Sequence, residues 1–242
     1  ESAMNHAKLC ADKHAIRNES IDERIYSAFM EHLGNVIYHG IYAPEHPTAN
    51  ADGFREDVIE LVKALRLPLI RYPGGNFVCS YRWEDTVGPV ALRPARADLA
   101  WRQLEPNTVG LAEFYRWVKA IGSELGMAVN LSTRGAVDAA NLVEYCNLPS
   151  GTYWSDLRRS HGNEEPFDIR VWFVGNEVDG PWNIGMKRAE DYAWDAAEAA
   201  KAMRRIDPGI ELVAVGSSGT QLPTYLEWDR KVLEQVYDCC DY

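Results

Sequence analysis

Short apolar runs alternate with segments of helical periodicity from Ile25 to the end of the 242-residue chain. This alternation is typical of repeated βα units, in which a helix returns the chain to the same end of a parallel sheet. The runs predict strands of about average length, followed by a further strand that begins at Asp241. The predicted strands are Ile25–Met30, Pro68–Tyr72, Met127–Leu131, Arg170–Val174 and Glu211–Val215.

Apolar stripes with the period of an α-helix lie between these runs. One stripe consists of Val58, Leu61, Val62 and Leu65. A longer one extends from Ala189 to Met203 and ends at Asp207-Pro208-Gly209, a combination that stops helices. Further helices are predicted over Gly110–Leu125, Gly135–Tyr145 and Pro223–Val236.

Polar residues follow directly after the predicted strands. They are Glu31-His32, Asn76, Asn130, Asn176-Glu177 and Ser217-Ser218. A (β/α)8 TIM barrel assembles its active site from such loops, whereas an open nucleotide-binding sheet needs a glycine-rich phosphate loop, and none follows these strands. We therefore predict an α/β fold of the (β/α)8 barrel type. Residues 21–242 are predicted to form about five βα units of such a barrel, which is therefore incomplete, and residues 1–20 are predicted to form an N-terminal extension.

Composition excludes several classes of partner. The 25 basic and 36 acidic residues give a formal net charge of −11, and no Lys/Arg-rich run occurs. Binding to nucleic acid or to an anionic membrane surface is therefore not expected. No apolar stretch is long enough to span a bilayer, and no leader pattern precedes the first strand, so export was either never encoded or a signal has been removed.

The five cysteines indicate a reducing compartment. They are odd in number and scattered, and two of them are adjacent, which disfavours a bridge between them. Neither a Cys-x-x-Cys nor a His-Glu-x-x-His pattern occurs, so we predict no metal and no cofactor. We therefore expect the protein to be located in the cytoplasm.

Glu177 is the strongest candidate for a catalytic residue. The tetrad Gly175-Asn176-Glu177-Val178 ends an apolar run, with Trp172 and Trp182 nearby in sequence. A carboxyl among such groups loses water and holds its proton more readily, as a general acid for a glycosidic oxygen must. The alternative is an ordinary solvated glutamate, which is the commoner state for this residue type.

A second candidate, Asn76, follows the Pro73-Gly74-Gly75 turn. The glycines can take backbone angles closed to other residues, and the Asn amide could bind a sugar hydroxyl. The alternative is an incidental Asn in an ordinary turn. Aromatic rings predicted in neighbouring loops could stack on sugars or could cap the core. These rings are Tyr81, Trp83, Trp101, Trp154 and Trp182.

Several longer motifs occur in order along the chain. They are Phe29-Met30-Glu31-His32-Leu33-Gly34, Arg71-Tyr72-Pro73-Gly74-Gly75-Asn76-Phe77-Val78, Trp83-Glu84-Asp85, Asp98-Leu99-Ala100-Trp101, Ala128-Val129-Asn130-Leu131, Leu142-Val143-Glu144-Tyr145-Cys146-Asn147 and Gly175-Asn176-Glu177-Val178-Asp179-Gly180-Pro181-Trp182. Together these motifs resemble the α-L-arabinofuranosidases of glycoside hydrolase family 51, and the resemblance covers nearly the whole chain from about Ile21 to Tyr242.

The resemblance implies a retaining, exo-acting enzyme without metal or cofactor. Its substrates are arabinoxylan, arabinan and their oligosaccharides, from which it releases terminal arabinofuranosyl groups. Glu177 takes the acid/base role, Asn176 lies near the sugar 2-hydroxyl, and Glu31, Asn76 and Trp101 bind substrate. The family also implies a cytoplasmic homo-oligomer and a β-sandwich domain, of which residues 1–20 could be a remnant.

One departure from the family concerns the nucleophile, a Glu at the end of the seventh strand. No residue here matches it, although retaining hydrolysis needs two carboxylates about 5–5.5 Å apart. The second carboxylate could come from a remainder of the protein, from Glu31 or from a partner chain. The alternative function is a non-catalytic partial barrel that keeps part of the sugar subsite and self-associates through its open edges. Internal cleavage of β-glucans, known for some relatives, is a weaker third possibility.

Overall fold

Residues 20–242, together with Lys8 and Cys10, are described by a computed structural model of the protein. The predicted N-terminal extension over residues 1–20 therefore lies almost entirely outside the described residues. Lys8 and Cys10 are both exposed.

A parallel five-stranded sheet forms the centre of the fold. Its strand order is β1-β2-β5-β6-β7, and β3 and β4 form a separate antiparallel pair. The strands are β1 Ala28–Phe29, β2 Leu69–Tyr72, β3 Arg96–Ala97, β4 Leu104–Glu105, β5 Glu124–Ala128, β6 Val171–Phe173 and β7 Glu211–Val213. The predicted α/β class is confirmed, and each of the five predicted strands contributes to the sheet.

The strand boundaries differ most from the prediction in β1 and β5. Ile25 lies in a 3-10 helix, so the first strand is only two residues long. The third strand begins at Glu124 rather than Met127, because Gly122 (φ 78°) ends the preceding helix in a left-handed conformation and frees the next residues to pair with β2.

The chain end pairs with β7 without forming an assigned strand. Asp241 N–H donates to the Leu212 carbonyl at 2.8 Å, and Ala214 N–H donates to the Tyr242 carbonyl at 2.8 Å. This is the position predicted for a further strand. Within the described residues the sheet remains open, and the closed eight-stranded barrel stays a prediction.

Six α-helices are present in the described part of the chain. They are α1 Glu56–Ala64, α2 Leu111–Ile121, α3 Ala136–Asn147, α4 Tyr153–Ser160, α5 Ala189–Ile206 and α6 Glu227–Val236. Short 3-10 helices occupy Glu23–Tyr26, Asn76–Ser80, Trp83–Thr86 and Val90–Leu92. The predicted helix over Gly110–Leu125 was too long, the one over Pro223–Val236 begins four residues later, and α4 was not predicted.

The helices differ in how much of their apolar surface is buried. Helix α5 buries Tyr192, Met203 and five alanines, as its stripe predicted; the alanines are Ala189, Ala193, Ala196, Ala199 and Ala200. Helix α1 buries none of its residues completely, and Leu61 is 71% exposed. The apolar stripe of α1 therefore predicted the helix correctly, but it is only partly covered by the described residues, through Val58 and Val62.

A buried polar cluster fastens the β3–β4 hairpin to the sheet. Glu105 accepts hydrogen bonds from His32 Nδ1 at 2.8 Å, from Asn107 N–H at 2.7 Å and from the Tyr38 hydroxyl. Nε2 of His32 contacts the Tyr72 hydroxyl at 2.7 Å. Burial alone would raise the pKa of Glu105, but the contacts with His32, Tyr38 and Asn107 outweigh it and hold the pKa below its usual range. The cluster thus fixes the hairpin that carries Trp101.

We expect Glu105→Gln to destabilise the protein by about 2–3 kcal/mol, since the amide leaves buried donors without an acceptor. The free energy of unfolding in urea at pH 7 measures this, with the exposed Glu45→Gln as control. Because the pKa of Glu105 is depressed in the folded protein, its contribution to the free energy of unfolding is fully present above the unfolded pKa. That contribution is lost as pH falls through the folded pKa. A difference between wild type and variant that grows toward acid pH would contradict this assignment.

Candidate active site

The polar loops predicted from the sequence meet at one edge of the sheet. Because β1, β2, β5, β6 and β7 are parallel, their carboxyl ends lie on the same side. The loops after these strands carry Glu31, Asn76, Asn130, Asn176-Glu177 and Ser217-Ser218. This edge is the candidate active site.

A row of hydrogen-bonded side chains crosses the edge from β2 to the loop after β6. Arg71 Nη2 donates to Asn176 Oδ1 at 2.7 Å, and Asn176 Nδ2 donates to Asn76 Oδ1 at 3.1 Å. We call Arg71, Asn176 and Asn76 the amide row. Two of the predicted substrate-binding residues are therefore in direct contact.

Arg71 is a site residue that the sequence reasoning missed. Its guanidinium lies 5.1 Å from the ring centres of both Phe29 and Phe173, and its Nε is buried without a partner among the described residues. Burial lowers the pKa of Arg71, and the carboxylates of Glu31 and Glu177 oppose that shift. The sequence feature that could have identified Arg71 is its charge inside an otherwise apolar strand.

Glu31 is held tightly beside the row. It is 5% exposed, and its Oε1 accepts from Phe77 N–H at 2.8 Å and from Trp101 Nε1 at 3.0 Å. A Cβ at Gly74 would lie 2.7 Å from Glu31 Cγ, and Gly74 has no positive φ. The close approach of Glu31 therefore leaves no room for a side chain at Gly74, whereas Gly75 has φ −83° and ψ −110°, outside the helical and extended regions.

Glu177 lies half-buried at the wall of a cavity of about 380 Å³ that Arg71 and the loop after β7 also line. Its Oε2 accepts from Trp182 Nε1 at 2.9 Å, so the predicted neighbour Trp182 is confirmed. Trp172 instead lies fully buried in the hydrophobic core and donates to the Ile169 carbonyl at 2.8 Å. Glu177 itself has a φ of 42°, in the left-handed region.

The other predicted aromatic residues divide between surface and core. Trp101 and Trp182 are 37% and 48% exposed, which leaves their rings open to solvent at the site. Tyr81 and Trp83 are buried in the core, and Trp154 lies in helix α4 against Trp83 rather than in a loop. For these last three residues the alternative of core packing was correct.

Asn130 has a structural role in this arrangement. Its Oδ1 accepts from Ser132 N–H and Thr133 N–H, and its Nδ2 donates to the Tyr81 carbonyl. These contacts shape the loop after β5 and engage both the oxygen and the nitrogen of the Asn130 amide.

No group of three or more potential metal ligands occurs in the part of the chain that the structure describes. None of the helices described here is long and apolar enough to cross a membrane.

Known proteins with similar sequences are arabinofuranosidases. Residues 61–242 match the family model described as the alpha-L-arabinofuranosidase 1 domain. The intracellular exo-alpha-(1->5)-L-arabinofuranosidase 1 of Bacillus subtilis (strain 168) is 56% identical over 239 residues, which cover 99% of this chain and 48% of that one. An exo-alpha-(1->6)-L-arabinofuranosidase of Bifidobacterium longum is 53% identical over 219 residues, 90% of this chain and 42% of that one. The chain thus spans about half the length of the curated relatives it matches.

Solved structures give the same result. A family 51 alpha-L-arabinofuranosidase from Bifidobacterium longum superimposes with a TM-score of 0.89 at 48% identity, over 90% of this chain and 43% of that one. An arabinose complex of the Thermotoga maritima alpha-L-arabinofuranosidase superimposes with a TM-score of 0.85 at 42% identity, over 89% and 44% of the two chains. Sequence and fold agree, and the chain belongs to the α-L-arabinofuranosidases of glycoside hydrolase family 51.

Proposed function

We propose that these residues form the acid/base side of the active site of a retaining, exo-acting α-L-arabinofuranosidase. The observation that carries this is the placement of Glu177 beside the amide row, at the carboxyl edge of a parallel sheet, in a member of family 51. The substrates we assign are oligosaccharides of arabinan and arabinoxylan with terminal arabinofuranosyl groups.

Glu177 is the proposed proton donor to the glycosidic oxygen. Trp182 occupies Oε2, while Oε1 receives no hydrogen bond from any described residue. Oε1 is therefore free to hold the acidic proton toward a leaving group. After the sugar is transferred to a nucleophile, the same carboxylate deprotonates the attacking water, as microscopic reversibility requires.

The surrounding polar groups fit the hydroxyls of a furanose. Asn76 and Asn176 offer amide donors and acceptors, and Glu31 is an acceptor fixed by Trp101 Nε1. We assign Asn176 to the 2-hydroxyl, where a hydrogen bond that strengthens in the transition state contributes most. The exposed ring of Trp101 is available to the sugar face.

We assign the nucleophile to a carboxylate that is not among the described residues of this chain. Glu31 is a poor candidate because it is 5% exposed and already accepts two N–H donors. The unpartnered Arg71 Nε and the cavity beside Glu177 leave room for a carboxylate from a further strand or from a partner chain. Its separation from Glu177 should be about 5–5.5 Å.

We also propose that the open sheet is part of a (β/α)8 barrel. Support comes from the parallel strand order, from the pairing of Asp241 and Tyr242 with β7, and from the length of the relatives. Since several relatives are named intracellular enzymes, we propose a cytoplasmic location for this protein. A homo-oligomeric state stays a prediction.

The alternative for a chain of this length is a non-catalytic sugar-binding fragment that self-associates. The observation that favours it is apolar surface at both sides of the open sheet. Leu61 of α1 and Leu65 directly after it are 71% and 66% exposed, and Leu233 and Tyr237 at the end of α6 are 53% and 78% exposed. Surface of this kind marks contacts with other chains or other parts of a chain.

We expect Glu177→Gln to lower kcat for arabinobiose by about 10²–10⁴-fold, since general acid–base catalysis contributes that range. Hydrolysis is followed by arabinose release, with the exposed Glu60→Gln on α1 as control. Wild-type turnover that survives in the variant would contradict the role of Glu177. A folded wild type without turnover would favour the non-catalytic alternative.

Asn176→Ala should lower kcat/KM by about 10²-fold or more, because it removes the proposed contact to the 2-hydroxyl and leaves Arg71 without its acceptor. Steady-state kinetics with 4-nitrophenyl α-L-arabinofuranoside measure the effect. Asn163→Ala, in the loop before β6 at the opposite end of the sheet, is the control. Equal kinetics for the two variants would remove Asn176 from the site.

Self-association can be tested by sedimentation velocity across a range of concentrations. If the exposed stripe of α1 mediates it, Leu61→Lys with Leu65→Lys should reduce the sedimentation coefficient at high concentration, since two charges would be placed in an apolar contact. Leu92→Lys, on a different exposed surface, should not. A wild type that is monomeric at every concentration would argue against the alternative.

A further inference from the structure

The backbone of Glu177 lies in a conformation that its residue type does not favour. A non-glycine residue at φ 42° is strained, and such a conformation persists only when surrounding contacts impose it. The contacts that impose it here therefore also determine where the carboxyl points.

Part of the restraint is local. The Glu177 carbonyl accepts from Gly180 N–H at 2.8 Å and from Asn183 Nδ2 at 2.6 Å, which closes the loop on itself. These bonds set the shape of the loop. They do not fix the position of the loop relative to the neighbouring strands.

Asp179 supplies a connection to the neighbouring loop. This carboxylate is 7% exposed and accepts from Ser217 Oγ at 2.8 Å, from Ser218 N–H at 3.0 Å and from Ser218 Oγ. All three donors belong to the loop after β7. Their convergence on one buried carboxylate makes a strong, directional contact between two loops.

The loop that receives Asp179 is itself anchored. Ser217 N–H donates to Asp229 Oδ1 at 2.8 Å, in the first turn of α6. The Tyr192 hydroxyl accepts from Val215 N–H and donates to the Val174 carbonyl, both at 2.8 Å. Asp179 thus connects the Glu177 loop to a rigid support formed by α5, α6 and β7.

We propose that Asp179 is a positioning residue that holds the Glu177 carboxyl, with its partner Trp182, in the orientation needed to protonate the leaving oxygen. This inference rests on the proposed function of Glu177. Asp179 transfers no proton itself; the proton passes from Glu177 to the glycosidic oxygen as the bond to the sugar carbon breaks. Ser217, Ser218 and Glu177 line the same cavity, so a displaced loop would move the acid relative to a bound sugar.

Asp179→Asn tests this with little change of shape. The amide offers one acceptor oxygen where the carboxylate offers two, and its NH2 group would face a serine donor. The readout is kcat/KM for two substrates, because this ratio reports the breaking of the glycosidic bond. The leaving group of arabinobiose is the hydroxyl of the second sugar, which must be protonated, whereas 4-nitrophenolate leaves with little help from an acid.

We expect kcat/KM of Asp179→Asn to fall about 10–100-fold for arabinobiose and about threefold or less for the 4-nitrophenyl glycoside, since misplacing a catalytic group by about 1 Å can cost 10²-fold. Ser218→Ala, which keeps the backbone donor, should show a smaller change in the same direction. Asp207→Asn is the control, because Asp207 accepts from Asn147 Nδ2 at 2.8 Å at the opposite end of the sheet. Equal losses for both substrates would overturn the inference.

A second measurement does not depend on turnover. In a ¹H–¹⁵N spectrum, the indole N–H signal of Trp182, assigned with Trp182→Phe, reports its hydrogen bond to Glu177. Asp179→Asn should move this signal more than those of the other tryptophans, and Asp207→Asn should leave it in place. If wild type hydrolyses neither substrate, the proposed function fails, and an unmoved Trp182 signal then also refutes the positioning role.

Discussion

Parallel pairing of the strands is the constraint on which the site depends. Each strand must run in the same direction, so each helix has to carry the chain back before the next strand begins. Every loop that leaves a carboxyl end therefore opens on one edge of the sheet. Residues as distant in sequence as Glu31, Asn76 and Glu177 meet there without any local signal that connects them.

Two kinds of polar contact then give this edge its chemistry. The amide row, built on Arg71 between two phenylalanine rings, presents polar groups in fixed positions. The Glu177 loop is instead strained, and the bonds within it and to the loop after β7 hold it in place. Polar groups in fixed positions next to a restrained carboxyl are the arrangement that catalysis by preorganisation requires.

The strands, the parallel sheet and the loops with polar residues could be predicted, because apolar runs and the residues that interrupt them are local properties. The start of β5 could not be predicted, because it depends on pairing with β2. The β3–β4 hairpin could not be predicted either, because it depends on the buried contacts of Glu105. Glu177, Asn176, Asn76 and Glu31 were predicted from motifs. Arg71 and Asp179 were not predicted as site residues, because their contacts depend on which loops face each other in three dimensions.

The most direct test of this account is a crystal structure of the Glu177→Gln protein with an arabino-oligosaccharide. We expect a terminal arabinofuranosyl group on the amide row, with Glu31 accepting from a hydroxyl and the residue 177 amide about 3 Å from the glycosidic oxygen. An oligosaccharide bound elsewhere would contradict it. One such place is the cavity of about 660 Å³ between the β3–β4 hairpin and Arg134.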